Sequence, residues 1–338
     1  MLSKRVLVTG GAGYIGSHCV KALLEAGHRV LIVDNLSTGN SFAIKQLHRA
    51  EFSLGDIRDS IVIENAFNQF KPEAVIHLAA KAYVGESVSD PLSYFDNNVL
   101  GSIKLFNAMR KAGVRDLVFS STCAVYGLPR CCPVDETQPT NPMSPYGVTK
   151  RTVEELLLAL AKSNEMSSVV LRYFNAAGAS ADLSLGEWHQ PETHLIPLAI
   201  RATNRDASPL LVFGTDYDTK DGTCERDYLH VEDLAEAHVC ALNLLSKRGP
   251  AEVCETFNLG VGKPFSVFDI LREVQECTGQ TVAWRQTSRR LGDPASVFAD
   301  PSKAVVGLGW RAKRGLTEMI RSAFLFEQAM RRKVDECR

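Results

Sequence analysis

The sequence lacks the features of a membrane, secreted or nucleic-acid-binding protein. No stretch approaches the roughly 18 uninterrupted apolar residues of a transmembrane helix, and Met1 to Gly10 has no apolar core of a signal peptide. The formal net charge of −1 provides no basic field for nucleic acid, and Arg331-Arg332-Lys333 fits a solvated helix end. We therefore expect a cytoplasmic protein with neither a membrane nor a nucleic-acid partner.

The cysteines also lack the spacing of a disulfide framework or a metal site. There are nine, an odd number, without a Cys-x-x-Cys pair or histidine partners at zinc-finger spacing. Cys131 and Cys132 are adjacent and unsuited to bridging each other. We expect reduced thiols, which fit a cytoplasmic location, and no metal site.

What the sequence does contain is an alternation of predicted strands and helices. The 338 residues, 45% hydrophobic and 23% charged, suffice for one large domain or two unequal ones. The predicted strands are Lys4 to Thr9, Arg29 to Val33, Ala50 to Leu54, Ala74 to Leu78, Asp116 to Ser120 and Val169 to Tyr173. The alternation predicts an α/β fold with a doubly wound parallel sheet, whose ligands bind at the carboxyl ends of the strands.

A glycine-rich segment follows the first predicted strand. Gly10-Gly-Ala-Gly13-Tyr14-Ile15-Gly16 lies between that strand and an amphipathic helix. Glycines let the backbone approach a diphosphate closely, and the helix N-terminus directs amide N–H groups towards it. This order of elements predicts a dinucleotide site, although a glycine turn alone would be weak evidence.

Small or polar residues end the next predicted strands. Asp34 ends the second strand, where a carboxylate accepts hydrogen bonds from ribose hydroxyls and repels a 2′-phosphate. Gly55-Asp56-Ile57 follows the third strand, where a polar side chain could meet adenine. Ala79-Ala80 follows the fourth strand, where the small side chains leave room for a cofactor. These residues favour NAD over NADP, whereas the simplest alternative makes Asp34 a turn cap.

Tyr146 and Lys150 are four residues apart at the start of a predicted helix. That spacing places both side chains on one helix face. An unperturbed phenol has a pKa of about 10, and a nearby cation favours the phenolate. The pair could therefore form a catalytic base, although an ordinary solvated helix face has the same spacing.

Taken together, these motifs resemble the extended short-chain dehydrogenase/reductase family and, within it, the UDP-glucose 4-epimerase family. The shared motifs are the glycine turn, Ser120-Ser-Thr122, Tyr146-x-x-x-Lys150, Val84-Gly-Glu-Ser-Val88, Asp96-Asn-Asn-Val99, Leu171-Arg-Tyr-Phe-Asn175, Asp221 to His230, and Gly292-Asp293. They span nearly the whole chain. The resemblance implies an NAD-dependent enzyme that interconverts UDP-glucose and UDP-galactose through a transient 4-keto sugar.

The resemblance also implies roles for individual residues. Tyr146 would take the proton of the sugar 4-hydroxyl, Thr122 would hydrogen-bond that oxygen, and Lys150 would hold the nicotinamide ribose and lower the tyrosine pKa. The implied NAD site comprises Gly10, Gly13, Tyr14, Ile15, Gly16, Asp34, Asn35, Asp56, Ile57, Leu78, Ala79, Ala80, Asn97, Ser120, Tyr146, Lys150 and Tyr173. The implied UDP-hexose site comprises Thr122, Tyr146, Asn175, His194, Leu195, Leu211, Val212, Phe213, Arg226, Arg290, Asp293 and Val297.

Three positions depart from the family pattern. Lys81 lies one place before the usual lysine, where this chain has Ala82, so we leave it out of the site. His194 replaces a frequent asparagine that contacts the nucleotide. Val297 replaces a bulky tyrosine found in some members, which predicts room for UDP-GlcNAc or UDP-GalNAc.

The sequence bears differently on three alternative activities. Sugar-nucleotide dehydratases carry an Asp-Glu pair after the threonine, but Cys123 and Ala124 stand here and neither can eliminate water. A UDP-pentose 4-epimerase (UDP-xylose/UDP-arabinose) is a closer alternative. A catalytically silent NAD-binding regulator would be expected to lack Tyr146, Lys150 or Thr122, and all three are present.

The layout of the chain suggests two domains. We expect residues 1–175 and 227–260 to form the NAD-binding domain, and residues 176–226 and 261–338 a smaller, discontinuous α+β domain for the UDP-sugar. The helices Ile103 to Arg110 and Val153 to Leu160 are apolar enough to pair in a homodimer, as in the family. Core packing alone would explain them equally well.

Overall fold

Strands and helices alternate through the first half of the computed structural model, which describes residues 3–248, 253–290 and 292–336. The strands here are Arg5–Thr9 (β1), Arg29–Asp34 (β2), Glu51–Leu54 (β3), Ala74–His77 (β4), Asp116–Thr122 (β5) and Ser167–Tyr173 (β6). The helices are Tyr14–Glu25 (α1), Ser41–Gln46 (α2), Ser60–Phe70 (α3), Val84–Ser89 (α4), Pro91–Tyr94 (α5), Gly101–Lys111 (α6) and Pro145–Lys162 (α7). A π-helical segment, Phe95–Leu100, joins α5 to α6, and a 3-10 turn, Cys123–Val125, follows β5.

The second half has shorter strands and less regular order. Its strands are Asn175–Ala177 (β7), Leu210–Phe213 (β8), Glu225–Arg226 (β9), Tyr228–His230 (β10), Cys254–Leu259 (β11), Phe265–Ser266 (β12), Trp284–Thr287 (β13) and Ser296–Val297 (β14). Its helices are Leu195–Arg201 (α8), Val231–Arg248 (α9), Val267–Thr278 (α10), Ser302–Leu308 (α11) and Leu316–Glu336 (α12). No helix in the described ranges is long and apolar enough to cross a membrane.

Seven parallel strands form the central sheet, in the order β11-β6-β5-β4-β1-β2-β3. The chain runs outward from β1 to β3 and then returns to β4 on the other side of β1. The strand order therefore reverses between β1 and β4, which is where a doubly wound sheet binds its ligand. The predicted fold class is confirmed.

Apolar side chains cover both faces of this sheet. Buried valines, leucines and isoleucines of the strands pack with Val20 and Leu23 of α1 and Leu242 of α9 on one face. On the other face they pack with Phe67 of α3 and Met109 of α6, together with residues of α7. Strands covered on both faces read as nearly continuous hydrophobic runs, which is why they could be predicted.

A third apolar cluster lies away from the central sheet. It joins Ile196 of α8, Ile270 and Val274 of α10 and Ile320 of α12. Helix α10 begins with a capping box, in which Ser266 and Asp269 bond each other's backbone N–H groups. A separate core agrees with a smaller second domain, but the predicted boundaries remain a prediction. Of the residues assigned to the two predicted domains, 1–2, 249–252, 291 and 337–338 lie outside the described residues.

Candidate active site

The glycine turn between β1 and α1 packs closely against the end of β4. Gly10 has a φ of +74°, and a Cβ there would lie 2.5 Å from the amide nitrogen of Ala79. A Cβ at Gly16 would lie 2.0 Å from the carbonyl oxygen of Gly10. Helix α1 begins at Tyr14, and Gly13 at its N-cap makes no side-chain bond to the first amides. Those amides can therefore bind an anion such as a diphosphate.

Asp34 is fixed at the end of β2, beside this turn. Its oxygens accept hydrogen bonds from the backbone N–H groups of Ala12 and Leu36, at 2.9 and 2.8 Å. Burial raises the pKa of Asp34, and the two N–H groups oppose that increase. The carboxylate lies where the ribose hydroxyls of a dinucleotide bind in this fold.

Asp56 is held by a neighbour that the sequence analysis missed. Arg58 donates to both of its oxygens, at 2.7 and 2.9 Å, and Asn35 donates at 2.9 Å. The Arg58 guanidinium holds the pKa of Asp56 well below its usual range. Arg58 and Asn35 line the neighbouring cleft, whereas Asp56 does not.

A cleft of about 640 Å³ opens at the strand reversal. The predicted cofactor residues that line it are Gly10, Gly13, Tyr14, Ile15, Gly16, Asp34, Asn35, Ile57, Leu78, Ala79, Ala80, Asn97, Tyr146, Lys150 and Tyr173. Asp56 and Ser120 are not part of its lining. Lys81, which the sequence analysis left out, does line the cleft, as do Tyr83 and His189. These three lie in loops or at a helix start, where no periodic pattern marks them.

Tyr146 and Lys150 enter the inner end of this cleft from α7. Ser144 caps the helix by accepting from the N–H of Gly147, and Pro145 occupies the first turn. Tyr146 is 7% exposed and Lys150 is 4% exposed. The hydroxyl of Thr122, the last residue of β5, lies close enough to the Tyr146 phenol to lower its pKa. The structure therefore brings the three predicted catalytic residues together.

Burial sets the pKa of Tyr146 in the protein alone, and the expected lowering by Lys150 stays a prediction. Burial raises the pKa of Tyr146 to about 12, although the hydrogen bond from Thr122 opposes it. Burial also lowers the pKa of Lys150 to about 7, against the attraction of Glu154. The Lys150 ammonium donates to the carbonyl oxygen of Ser120 at 2.8 Å and lies 4.9 Å from the centre of the Phe119 ring. Burial therefore acts against the charged form of both side chains in the protein alone.

The predicted nucleotide residues lie in the shorter strands of the second half. Arg226 in β9 forms an ion pair with Asp293. The Arg290 guanidinium stacks 3.9 Å from the centre of the Phe213 ring, at the end of β8. Guanidinium groups suit the oxygens of a diphosphate, which they can bind in pairs.

The remaining predicted substrate residues differ in accessibility. Leu211 is exposed, but Val212 is 1% exposed and packs into the third core, so its side chain does not face a ligand. Val297 is 6% exposed, packs beside Val125 and Phe174, and pairs in register with Arg226. Asn175 begins β7, and Leu195 begins α8.

His194 is the N-cap of α8, and its ring contacts the Glu187 carboxylate. Burial alone would lower the pKa of His194, but the attraction of Glu187 outweighs it and raises the pKa to about 9. His194 does not line the cleft described above, whereas its neighbour His189 does.

The cleft fits a dinucleotide at its outer end. The glycine turn and free amides suit a diphosphate, and Asp34 suits an adenosine ribose without a 2′-phosphate. Residues 6–260 match the model of the NAD dependent epimerase/dehydratase family. The chain belongs to this family.

The chain is also similar to family members over almost its whole length. It is 45% identical over 324 residues to the UDP-glucose 4-epimerase of Rhizobium leguminosarum bv. trifolii, which covers 96% of this chain and 97% of that protein. The structure of UDP-glucose 4-epimerase from Brucella ovis in complex with NAD matches with a TM-score of 0.91 and 44% identity, over 96% of this chain and 98% of that one.

A second solved epimerase, from Stenotrophomonas maltophila, contains NAD and formylated UDP-arabinopyranose. It matches with a TM-score of 0.94 and 43% identity, over 98% of this chain and 99% of that one.

The residues next to Thr122 limit the chemistry of this epimerase/dehydratase family member. Cys123 and Ala124 follow Thr122 directly, and burial raises the pKa of the Cys123 thiol to about 11. Neither side chain provides the acid and base needed to remove water. The family member therefore has the groups for proton transfer at one hydroxyl and lacks, at these positions, those for dehydration.

Proposed function

We propose that this chain is an NAD-dependent UDP-glucose 4-epimerase that interconverts UDP-glucose and UDP-galactose through a transient 4-keto sugar. The observation that carries the proposal is that Tyr146, with Thr122 beside it, and Lys150 line the same cleft as the glycine turn and Asp34. A relative that aligns with nearly the whole chain is named UDP-glucose 4-epimerase, which supports the same activity.

The chain's own residues perform the proton transfer. Tyr146 accepts the proton of the sugar 4-hydroxyl, and Thr122 orients that oxygen by hydrogen bonding. Lys150 holds the nicotinamide ribose and adds positive charge beside the phenol. When bound, NAD supplies the hydride acceptor and donor at C4. Gly10, Gly13 and Asp34 hold the cofactor at the other end of the cleft.

Other residues hold the substrate through its nucleotide. Arg226 and Arg290 bind the diphosphate, Asp293 orients Arg226, and Phe213 supports Arg290. Binding through the UDP portion leaves the hexose free to turn, so that either face of C4 can meet the nicotinamide. Asn175, His194, Leu195 and Leu211 complete the proposed substrate set.

A broader sugar range is a second candidate function. Val297 is smaller than tyrosine and pairs in register with Arg226, so it favours room for the N-acetyl group of UDP-GlcNAc or UDP-GalNAc. The solved Stenotrophomonas structure holds a modified UDP-arabinopyranose, which supports testing UDP-pentoses as well. A panel of UDP-hexoses, N-acetyl forms and UDP-pentoses separates these possibilities.

The proposal also includes a homodimer and a cytoplasmic location. Leu100 and Ile103 near and in α6, and Leu158 in α7, are between 38% and 41% exposed, which supports a homodimer formed by these helices. The eight cysteines within the described ranges are free thiols, which supports a cytoplasmic location.

The experiment that tests the function is conversion of UDP-galactose to UDP-glucose by purified protein, without added NAD. We expect turnover by the wild type and a loss of at least about 100-fold in Tyr146→Phe. NAD bound to that variant is measured by absorbance and mass spectrometry to show that the cleft is intact. Full activity in a folded, NAD-containing Tyr146→Phe would contradict the proposed base, and no turnover by NAD-loaded wild type would contradict the epimerase.

A further inference from the structure

Four side chains with metal-binding atoms converge in the segment that precedes α8. They belong to Glu187, His189, Glu192 and His194, and one ligand atom of each lies within 4.8 Å of every other. The sequence spacing matches no zinc-finger pattern, so the sequence analysis predicted no metal. The loop fold, which a linear motif does not describe, brings the four together.

The distances within this cluster approach those of a tetrahedral site. Glu187 Oε1 lies 3.3 Å from His189 Nδ1, and His194 Nδ1 lies 3.6 Å from Glu192 Oε1. His189 Nδ1 lies 3.9 Å from Glu192 Oε2, and His194 Nδ1 contacts Glu187 Oε1. Four ligands about 2.1 Å from a central ion are separated from one another by about 3.4 Å. The ligand atoms of Glu187 and His194 lie closer together than this, and no two ligand atoms lie more than 4.8 Å apart, so shifts of about 1 Å would complete the coordination.

One carboxylate oxygen in the cluster is buried without a partner. The side chain of Glu192 is 1% exposed, and its Oε2 atom accepts no hydrogen bond from the described residues. Its Oε1 accepts from the N–H groups of Thr193 and His194, which fixes the orientation of the carboxylate. The nearest cation is the Arg201 guanidinium, 3.9 Å from Oε2. An unpartnered buried carboxylate oxygen is costly unless something binds it.

The negative charge of the cluster favours a bound cation. Once His194 has given up the proton that it shares with Glu187, two carboxylates and two neutral imidazoles carry a charge of about −2, which Arg201 offsets only in part. The rings of Tyr14 and Tyr83 pack edge-on against His189 and enclose the cluster on that side. Imidazole and carboxylate together suit Zn²⁺ and its neighbours, whereas Mg²⁺ and Ca²⁺ prefer oxygen ligands alone.

We propose that Glu187, His189, Glu192 and His194 bind one divalent transition-metal ion of the Zn²⁺ class. On binding, His194 releases to solvent the proton that it shares with Glu187, and both histidines coordinate through Nδ1. Four protein ligands fill a tetrahedral shell, so the ion is structural and takes no part in the chemistry at Tyr146.

The proposed ion would lie between the cofactor cleft and α8. His189 lines the cofactor cleft, and His194 is the N-cap of α8. The ion therefore fixes the segment that joins the cleft wall to α8. This inference does not depend on the proposed epimerase activity.

The test is a titration of chelator-treated protein with Co²⁺, followed by visible absorption, and with Zn²⁺, followed by calorimetry. We expect one equivalent of either ion per chain and the intense visible bands of tetrahedral Co²⁺. His189→Ala and Glu192→Gln should each weaken binding at least about tenfold. His48→Ala, an exposed histidine elsewhere in the chain, is the matched control and should bind normally.

Folding is checked separately from metal binding. Glu192→Gln keeps the shape of the side chain, so its circular dichroism should match that of the wild type, while Zn²⁺ should raise the melting temperature of the wild type and not of the variant. Absence of stoichiometric Co²⁺ and Zn²⁺ binding by the wild type would overturn the proposal. Equal binding by folded Glu192→Gln and His189→Ala would overturn it too, because the ion would then lie elsewhere.

Discussion

Glu154 and Arg172 form a bidentate ion pair beneath the catalytic face of α7. The guanidinium donates to the two carboxylate oxygens at 2.9 and 2.6 Å, and the side chains are only 3% and 7% exposed. Glu154 lies one helical turn beyond Lys150, just as Lys150 lies one turn beyond Tyr146. Ser121, the neighbour of Thr122, donates to Glu154 at 2.5 Å. The pair therefore ties α7 to strands β5 and β6.

The first prediction concerns this pair. Glu154→Gln should lower the free energy of unfolding by about 3–5 kcal/mol, because it leaves the Arg172 charge buried without its counter-ion. The measurement is denaturant unfolding at pH 7. Glu155→Gln is the matched control, since that side chain is 61% exposed and its ion pair with Arg151 contributes about 1 kcal/mol or less. Equal stability of the two variants would contradict the role of the pair.

The second prediction concerns the hydroxyl of Thr122. Thr122→Val should reduce kcat for UDP-galactose about 10- to 100-fold, because the hydroxyl beside the Tyr146 phenol is lost. Thr122→Ser keeps the hydroxyl and should retain most of the activity. The two variants are compared in kcat and in NAD content. If valine and serine behaved alike, a role for the hydroxyl would have to be abandoned.

The third prediction concerns the buried Lys150. Burial lowers its folded pKa to about 7, below the value of about 10.4 in an unfolded chain. The unfolded chain thus holds this proton more tightly, and the group destabilises the fold increasingly as pH falls from about 10 to 7. In NAD-free protein, Lys150→Met should gain stability relative to wild type by a few kcal/mol more at pH 6 than at pH 10.

Paired denaturation curves at the two pH values check this expectation. Taking the difference between variant and wild type cancels the other titrating groups. The same variant should lose epimerase activity, because its side chain can neither hold ribose nor carry charge. A stability difference independent of pH would show that the fold does not lower the pKa of Lys150.

The fourth prediction concerns sugar range. Val297→Tyr should lower turnover of UDP-GalNAc at least about tenfold relative to UDP-galactose, because added bulk closes the space beside Arg226. Val297 is buried, so overpacking should also lower the free energy of unfolding by about 1–3 kcal/mol. Val297→Ile is the control, because isoleucine adds less bulk at this position than tyrosine does. A wild type that turns over UDP-galactose but neither N-acetyl sugar would remove the basis of this prediction.

Local sequence predicts those parts of the structure that local forces determine. The strands around Val6 and Val30 are continuous apolar runs, and the turn at Gly10 needs its positive φ, so both could be read from the chain. The one-turn spacing of Tyr146 and Lys150 likewise follows from helix geometry alone.

Residues that meet through the order of strands could not be predicted in this way. Arg172 reaches Glu154 because β6 lies beside β5, a pairing that no single segment encodes. His189 reaches the cleft from a loop without periodicity. The shifted pKa values of Tyr146 and Lys150 could not be predicted either, because burial of both side chains depends on the complete fold.

The place of β11 in the sheet has a consequence for how the protein is made. β11 covers the edge of β6, yet it is the last strand of the sheet to leave a ribosome, long after β6. Until Cys254–Leu259 emerges, the backbone of Val169 to Leu171 presents an open parallel edge that can pair with another chain. Nascent chains stalled before Cys254 should therefore aggregate or recruit chaperones, whereas those that include Leu259 have closed this edge.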